Sequence, residues 1–355
     1  MDADFDPNYP PHIERVFTLV IPPKQAPVRI DVYLTEVLPN ATRSKVQEAI
    51  EAGAVTVNGQ VTKVSRKIQP ADIIECRLMK PPPLELVPEE IPLDIRFEDE
   101  HLLVIYKPAG MVVHPGFGNR YGTLVNALLW YLGQREAIPL TEIDEDAEDE
   151  IEISENAILA SDAVRPGIVH RLDKDTSGIL VVAKDAAAHA RLAKQFADRT
   201  AKRQYYALVW GIVKEDVGII EGDLGRSPRD RKKMAVVQKG GKHAVTEYTV
   251  IERFASCTLL ALKLRTGRTH QIRVHCSYIK HPLVGDGDYG GGSVVYAGNS
   301  GQWKQLGERL LKIIPRQALH AKTLGFMHPA TGTWLEFDSE LPEDFQTALA
   351  EARKG

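Results

Sequence analysis

The sequence predicts an α+β protein with two folded units, a small N-terminal module and a larger, strand-rich domain. At 355 residues the chain is long enough for two or three domains with a sizeable core. The segment Lys80-Pro81-Pro82-Pro83 is typical of a stiff linker and separates the two units. Beyond it, strand-like and helix-like segments mix without regular βαβ alternation, a pattern typical of the α+β class.

Two helices are predicted at the start of the N-terminal module, which we place at residues 28–80. Apolar residues recur at helical spacing in the first: Ile30, Tyr33, Leu34, Val37 and Leu38. The second is predicted over residues 44–52, where Ser44 and Gln47 form a capping-box pattern and Gly53 ends the helix. Residues 1–27 are then expected to form an N-terminal extension outside the module.

A hairpin and a strand complete the module. Apolar and polar residues alternate around Asn58-Gly59, which predicts two short strands joined by a tight turn. Residues 72–76 predict one more strand. The basic start of the second helix, Arg43-Ser44-Lys45, leaves two interpretations open. Cations there oppose the helix macrodipole by roughly 0.3–1 kcal/mol each, as on a solvated surface, whereas a bound phosphate would reverse the sign.

The larger domain contains five predicted strands and two predicted helices. The strands are LLVIY (residues 102–106), GILVVAK (178–184), QYYALVWG (204–211), TEYTVIERF (246–254) and CTLLALKL (257–264). The helices are GTLVNALLWYL (122–132) and residues 186–196. We place this domain at residues 93–345, after a proline-rich linker at 81–92 and before a C-terminal tail at 346–355. An acidic insertion at residues 138–162 is expected to be a loop.

Composition and charge exclude several classes of protein. No apolar run is long enough to span a bilayer, and the acidic N-terminus does not resemble a signal peptide, so we expect a cytoplasmic protein. Three scattered cysteines suggest neither disulfides nor a structural zinc site. The net charge of −4 includes nine carboxylates between Glu142 and Glu155, so the rest of the chain is mildly basic and a polyanionic partner remains open.

Several catalytic and cofactor motifs are missing from the sequence or lack their context. His270 and His275 are five residues apart, which is not the spacing of a helical zinc motif. GDGDYG (285–290) matches a dinucleotide pattern only in its letters, because no strand leads into it and no helix follows; we interpret it as a glycine-rich turn. The sequence has no phosphate-binding loop motif, and Ser177 lacks the surroundings of a nucleophile elbow.

Basic residues concentrate in two further segments. RSPRDRKKMAV contains Arg229, Arg231, Lys232 and Lys233, and TGRTHQIRVH contains Arg268, His270 and Arg273. Charge runs usually form solvated faces. Together with the basic helix start in the N-terminal module, however, these segments indicate several patches able to neutralise phosphates.

The segment HRLDKDTSGILVVAK raises a separate question. Asp173 lies between Arg171 and Lys174, ahead of turn residues and a strand. On the isolated segment it could form a structural ion pair with either cation, or it could be a carboxylate kept ionised for chemistry.

HRLDKDTSG and TGRTHQIRVH together resemble the signatures of the RluA-type pseudouridine synthase family, which acts on ribosomal and transfer RNA. KPAGMVVHPG, KRQYYALVWG, HPLVGDGDYG and QALHAKTLGFMHPATG also resemble family segments and occur in the same order. ATRSKVQEAIEAGAVTVNG resembles the S4 RNA-binding module that many members place in front. The resemblance implies a catalytic domain on a mixed, mainly antiparallel sheet flanked by helices and loops.

The resemblance also implies an activity and its residues. The reaction breaks the N1–C1′ bond of a uridine, turns the uracil and joins C5 to C1′, with Asp173 as the catalytic carboxylate, attacking covalently or assisting deprotonation. Arg273 is expected to pair with Asp173 and favour its ionised form. Tyr205 is expected to pack on the uracil, although the adjacent Tyr206 leaves that register open. Arg171 is expected to fill the gap left by the extruded base.

We therefore expect an RNA-binding isomerase that needs no cofactor, metal or nucleotide, acts as a monomer and has no membrane partner. The expected substrate is large-subunit ribosomal RNA near the decoding centre, alone or within a pre-ribosomal subunit; transfer RNA is the alternative target. Two other functions stay open: a non-catalytic assembly factor that binds RNA, and a glycosidase that would use Asp175 as a second carboxylate. The acidic insertion could also fold over the substrate groove as a gate.

Overall fold

The computed structural model describes residues 13–38, 41–80, 85–116, 118–139, 167–295 and 301–354. The chain divides into two compact units, residues 1–84 and 85–355, and each is described by itself. Within the described ranges, no helix has both the length and the apolar character needed to cross a membrane.

The first unit is a four-stranded antiparallel sheet with two helices. Its elements are β1 (Ile13–Val20), α1 (Ile30–Val37), α2 (Arg43–Glu51), β2 (Val55–Val57), β3 (Gln60–Val61) and β4 (Ile73–Lys80). The strand order is β1-β4-β2-β3. Ile30 and Leu34 of α1 and Val46 and Ile50 of α2 are buried in its core, which confirms the predicted apolar faces of the helices.

The predicted hairpin is confirmed, because Asn58 and Gly59 both have positive φ angles, 52° and 77°, between β2 and β3. Two other predictions about this unit were wrong. Helix α2 begins at Arg43, and its cap is Thr42, whose hydroxyl accepts a hydrogen bond from the Lys45 amide; Ser44 therefore lies inside the helix. Strand β1 lies within the segment predicted as an extension, and it pairs with β4 over its whole length.

The second unit is built on an 11-stranded mixed sheet, as expected. Its elements up to the middle of the chain are β5 (Glu85–Leu86), β6 (Asp94–Glu98), β7 (Leu102–Lys107), α3 (Leu124–Tyr131), β8 (Ile138–Pro139), β9 (Gly167–Ile168), β10 (Ser177–Ala183) and α4 (Ala186–Ala197). They are followed by β11 (Lys202–Trp210), β12 (Val217–Arg226), β13 (Met234–Val236), β14 (Lys242–Arg253), β15 (Cys257–Leu264), α5 (Gln271–Tyr278), α6 (Gly301–Ile313), β16 (Leu319–Met327), β17 (Trp334–Asp338) and α7 (Glu343–Ala352).

The main sheet has the strand order β13-β12-β14-β15-β11-β16-β10-β7-β6, with β17 added to β16 and β9 to β10. All of its pairings are antiparallel except that of β10 with β16. Apolar residues alternate across β11: Tyr205, Ala207 and Val209 pack into one cluster with α3, whereas Leu208 and Trp210 pack into another with α6 and α7. The sheet thus has a buried core on each face.

Three expected boundaries of the larger domain differ from the structure. Residues 346–352 belong to α7, which buries Phe345 and Leu349, so they are not a free tail. The expected linker at 81–92 contains β5, which pairs with β8 in a small separate sheet. Ile138 at the start of the expected acidic insertion is a buried strand residue, and residues 140–162 lie outside the described ranges.

The loop that contains Asp173 leads into the start of β10. Here Ser177 lies opposite His320 and Gly178 opposite Ala321 in the parallel pairing with β16. Gly178 has a φ of +126°, and a Cβ built on it would lie 2.2 Å from the Ala321 carbonyl oxygen. Only glycine therefore permits this close approach of the two backbones.

A series of buried hydrogen bonds also holds β10 and β16 together at this point. Ser177 Oγ lies 2.9 Å from His320 Nδ1, and Ser339 Oγ lies 2.8 Å from His320 Nε2. Burial, more than the nearby cations of Lys322 and Arg316, lowers the pKa of His320 to about 4, so the ring is neutral at pH 7. A neutral ring has one donor and one acceptor nitrogen, and a hydroxyl can serve either.

Substitution of Gly178 by alanine should lower the free energy of unfolding by about 3 kcal/mol or more, because the new Cβ meets backbone and the φ angle is unfavourable. Gly116→Ala is the control, since a Cβ there has no atom within 4 Å. The measurement is denaturant unfolding of both variants. Equal, small losses would show that the close approach at Gly178 contributes little.

The free energy of unfolding should fall as the pH drops from 6.5 towards 4, in part because His320 stays neutral in the fold while its unfolded form takes up a proton. His320→Gln should therefore reduce this pH dependence, by up to about 3 kcal/mol across that window. Chemical unfolding at several pH values measures it. The exposed His243→Gln is the control, and an unchanged slope in His320→Gln would contradict the assignment.

Candidate active site

Asp173 lies in the loop between β9 and β10, and hydrogen bonds from other segments fix this loop. The Thr176 amide donates to the Asp173 carbonyl oxygen and closes the turn. The Lys174 carbonyl accepts from Lys107 Nζ at 3.0 Å and from the Gly110 amide at 2.9 Å. The next carbonyl, of Asp175, accepts from Arg316 Nη1 at 2.9 Å. Two consecutive loop carbonyls are thus held by basic side chains.

Lys107 and Arg316, which hold these carbonyls, have different surroundings. Lys107 is fully buried at the end of β7, and burial lowers its pKa to about 7 although the charges of Asp173 and Asp175 oppose this. Its Nζ donates to three carbonyl oxygens, those of Pro108, Met111 and Lys174, which occupy all its donors. Arg316 also forms a bidentate ion pair with Asp344 in the first turn of α7. The C-terminal helix therefore helps to fix the loop.

Arg273, on the first turn of α5, is the cation that approaches Asp173. Its Nη1 lies 3.5 Å from Asp173 Oδ2. Its stronger partner is the fully buried Asp286, which accepts from Nε at 2.8 Å and from Nη2 at 2.9 Å, and Asp288 accepts a further bond at 2.9 Å. Burial alone would lower the pKa of Arg273, but the hydrogen bonds and charge of Asp286 outweigh it and raise the pKa.

This arrangement refines the expected ion pair. The guanidinium is held from one side by Asp286 and Asp288, and it presents its remaining nitrogen, Nη1, to Asp173. With a side chain only 6% exposed, Arg273 is a fixed positive charge rather than a mobile one. The geometry places Arg273 beside Asp173, as the family resemblance implies, but the carboxylate that positions it is Asp286.

His270 forms another side of the site. It has a left-handed backbone conformation at the start of α5, and its Nε2 lies 4.0 Å from Asp173 Oδ1. Its Nδ1 lies 2.8 Å from the Tyr289 hydroxyl, which also accepts a hydrogen bond from the Met234 amide. Burial lowers the pKa of His270 against the opposing charge of Asp173, so the ring is neutral at pH 7. A Tyr289 hydrogen directed to Nδ1 leaves the ring proton on Nε2, towards Asp173.

Tyr205, on β11, faces the same cleft as Asp173. Its side chain is buried, and burial raises the pKa of its hydroxyl although the charge of Arg203 opposes this; the charge of Asp173 adds a smaller increase. The phenol is therefore protonated at neutral pH. Tyr206 packs against the cluster on the opposite face of the sheet. The alternation of the strand thus places Tyr205, and not its neighbour, beside Asp173.

The cleft has a volume of about 360 Å³. Besides Asp173, Tyr205, His270 and Arg273, it is lined by four basic residues, which are Arg171, Arg199, Arg203 and Arg268. Arg171 and Arg268 were predicted RNA contacts, and the structure brings them to this cleft. Arg199 and Arg203 were not identified from the sequence.

The other predicted contact residues lie elsewhere. Arg229, Arg231 and Lys232 are exposed on the loop between β12 and β13, and none of them lines the cleft. Lys233 at the end of that loop donates to the Asp288 carbonyl oxygen at 2.8 Å, so the loop is attached beside the ion pair of Arg273. In the N-terminal unit, Arg43, Ser44 and Lys45 are exposed on α2.

The residues that position the site were not predicted from the sequence. Asp286, Asp288 and Tyr289 belong to the turn GDGDYG, which was interpreted from its glycines alone. Gln271 was also missed: its buried amide donates to the Val245 carbonyl and accepts from the Arg268 amide, which fixes the turn before α5. A signal was available, since two aspartates in a turn are natural partners for an arginine. Within the described ranges, His, Cys, Asp and Glu do not gather into a group that could bind a metal ion.

Comparisons with known proteins identify the fold and the family. The RNA pseudouridylate synthase model matches residues 101–278, and the S4 domain model matches residues 28–74. An RNA pseudouridine synthase of Chlorobaculum parvum is 45% identical, over 95% of this chain and 97% of its own length. Ribosomal large subunit pseudouridine synthase D of Zymomonas mobilis is 42% identical, over 90% of this chain and 92% of its own.

Among solved structures, human RNA pseudouridylate synthase domain containing 1 shares the fold. Its TM-score is 0.51 at 23% identity, and the match covers 73% of this chain and 89% of that one. The structural match shows a shared fold only, whereas the family model and the long matches to related sequences show the family. The chain belongs to the RNA pseudouridine synthase family, with an S4 domain ahead of an isomerase domain that converts uridine to pseudouridine.

Proposed function

We propose that this enzyme modifies uridines of large-subunit ribosomal RNA, with Asp173 as its catalytic carboxylate. The observation that carries the assignment is the meeting of Asp173, Tyr205 and Arg273 in one cleft from three separate segments of the chain. Asp173 is mostly buried in a fixed loop, next to a positive charge that is itself held in place. The relatives named for the ribosomal large subunit support the choice of RNA. Transfer RNA is the alternative target.

The reaction needs three events at the extruded nucleotide. The N1–C1′ bond breaks, the uracil turns, and C5 bonds to C1′ while its proton is lost and N1 gains one, so no atoms are exchanged overall. Asp173 either attacks C1′ or assists removal of a sugar proton, and both routes need it ionised. The fixed charge of Arg273 lies 3.5 Å from this carboxylate.

Tyr205 and Arg171 have distinct roles in this proposal. The phenol of Tyr205, the tyrosine that faces the cleft, packs on the uracil. Because it is protonated, it can take up the C5 proton only after its own hydroxyl proton has passed to N1. Arg171 is exposed at the cleft and would enter the gap left by the extruded base. Opening a stacked position costs a few kcal/mol, which such contacts offset.

The remaining basic residues supply backbone contacts. In the N-terminal unit the buried carboxylate of Asp31 accepts hydrogen bonds from Arg29, Arg43 and Gln47, which orders two partly exposed guanidiniums on one surface. Charge of this kind contributes affinity without reading sequence. Arg229, Arg231, Lys232 and Lys233 on the loop after β12 would add contacts of the same type. His270 and Arg268 contribute from the turn before α5.

The proposal includes the enzyme's setting. The rearrangement involves no net redox change or group transfer, so we propose that it needs no cofactor. The RNA would be bound by one copy of the chain, free or within a pre-ribosomal subunit. The location that fits this substrate is the cytoplasm.

Asp173→Asn should reduce pseudouridine formation by at least about 10³-fold, because it keeps the shape but removes the charged carboxylate that both routes need. The measurement is the pseudouridine content of ribosomal RNA after incubation with the purified enzyme, and of cells lacking the protein that carry the variant. Asp175→Asn is the matched control, since its side chain does not line the cleft. It should keep activity within about tenfold.

Full activity of Asp173→Asn would overturn the catalytic assignment. Free uracil released by the wild-type enzyme would show hydrolysis instead of isomerisation. Pseudouridine appearing in transfer RNA only would retain the chemistry and change the substrate.

A further inference from the structure

Three arginines of the active-site cleft have positive charges that no carboxylate among the described residues neutralises. Arg171, Arg199 and Arg203 all line it, and none of their side chains forms a hydrogen bond or ion pair with the described residues. The carboxylates in and near the cleft, Asp173, Asp286 and Asp288, instead lie against Arg273. Clustered guanidiniums without carboxylate partners are the electrostatic signature of an anion site.

Arg203 is the best defined of the three. It lies on β11, two residues before Tyr205, with its guanidinium carbon 5.3 Å from the centre of the Phe196 ring. It also lies close to Gly267, where an added Cβ would be 3.1 Å from Arg203 Nη1. Its Nε is buried and has no hydrogen-bond partner among the described residues. The ring and the glycine thus orient a guanidinium whose donors are not used by the fold.

His170 supplies a second unused donor in the same place. Its ring stacks on Phe196 at 4.5 Å, and its Nε2 accepts a hydrogen bond from the Val181 amide. Burial, aided by the charge of Arg203, lowers its pKa to about 3, so the ring is neutral and its proton lies on Nδ1. That Nδ1 is buried and has no partner within the described ranges. Two buried donors without an acceptor call for an oxygen-rich ligand or water.

Arg199 occupies a position that stability alone would give to glycine. It follows the last turn of α4 with a φ of +60°, a left-handed conformation that is costly for a residue with a Cβ. Despite this cost the position is occupied by an arginine, and this arginine lines the cleft. A residue that is unfavourable for its backbone conformation is expected at a cleft when function requires its side chain.

We propose that Arg203 and Arg199 form a phosphate site that binds one backbone phosphodiester of the RNA next to the nucleotide held at Asp173. This rests on the proposed function and extends it: the uridine is positioned by its neighbouring backbone as well as by contacts to its base. Arg203 lies two residues from Tyr205 on one strand, so the phosphate and the uracil are held by the same rigid element. Both are therefore fixed relative to the Asp173 carboxylate.

The test is the salt dependence of binding of the full-length protein to a transcribed fragment of large-subunit ribosomal RNA. Losing one phosphate contact should lower the slope of log Kd against log salt by about 0.7–0.9 and weaken binding roughly five- to tenfold at 0.1 M salt. Arg203→Gln should show up to this loss, because Arg199 still faces the same phosphate, and the double variant with Arg199→Gly should show all of it. Lys202→Gln is the matched control, because it removes the same charge one residue away, where the side chain contacts Trp334 outside the cleft. Its slope should match that of the wild type.

Arg199→Gly separates binding from folding. It should raise Tm by about 2 °C, since it relieves the left-handed backbone, while it lowers the salt slope as Arg203→Gln does. A wild-type slope in both variants would overturn the proposal. So would equal losses in Lys202→Gln, or displacement of the RNA by inorganic phosphate alone at millimolar concentration, which would indicate a free anion as the ligand.

The measurement distinguishes this proposal from the function on which it rests. A wild-type protein that binds the RNA and forms no pseudouridine would contradict the proposed function. The salt slopes of the variants would still decide whether Arg199 and Arg203 contact phosphate.

Discussion

The ion pair between Arg273 and Asp286 is the interaction on which the active site depends. Both side chains are buried, and two parallel hydrogen bonds join them. Removing one partner from such a pair typically costs 3–5 kcal/mol, because the other is left as an uncompensated buried charge. The pair also joins the start of α5 to the glycine-rich turn that follows it in the chain. Asp173 approaches from a third segment and uses the one nitrogen that Asp286 and Asp288 leave.

The site therefore combines an acidic centre with a basic surround. Three carboxylates, Asp173, Asp286 and Asp288, surround one guanidinium, and His270 is neutral beside them. Alone, such a centre would repel RNA. The arginines that line the rest of the cleft reverse the field where the phosphates would lie. Asp173 can thus approach the sugar although the carboxylates around it would by themselves repel the RNA backbone.

Rigidity comes from the sheet behind the loop. The Asp173 loop leads into β10, a strand buried along its whole length between β7 and β16. Lys107, at the end of β7, and Arg316, before β16, each hold a loop carbonyl, so neighbours on both sides of β10 fix the same turn. A loop held in this way can position a carboxylate to within fractions of an ångström, which catalysis at a single carbon requires.

The sequence predicted those parts of the molecule that depend on local pattern. The two helices of the N-terminal unit, the Asn58-Gly59 turn and five strands of the main sheet (β7, β10, β11, β14 and β15) follow from periodicity and turn chemistry. The other six strands of that sheet, β6, β9, β12, β13, β16 and β17, were not predicted. Strand β12 was missed because its glycines and charges, in VGIIEGDLGR, hide the alternation. Helix α5 was missed because it begins at a left-handed His270 whose side chain does not cap it, so no cap signal precedes it.

The site was only partly visible in the sequence for a related reason. Asp173, Tyr205 and Arg273 were found through family segments, which preserve chemistry across distant positions. Asp286 and Arg203 act through contacts that the fold alone creates, across a turn and against Phe196 and Gly267. No spacing along the chain indicates such contacts.

The most direct test of the central claim is a crystal structure of the enzyme bound to a ribosomal RNA fragment that carries pseudouridine at a modified position. We predict that the nucleotide leaves its helix, with its base packed on Tyr205 and its C1′ within about 3.5 Å of an Asp173 carboxylate oxygen, while Arg273 stays paired to Asp286. A bound nucleotide whose C1′ lies far from Asp173, or an Arg273 that has left Asp286 for the RNA, would contradict it.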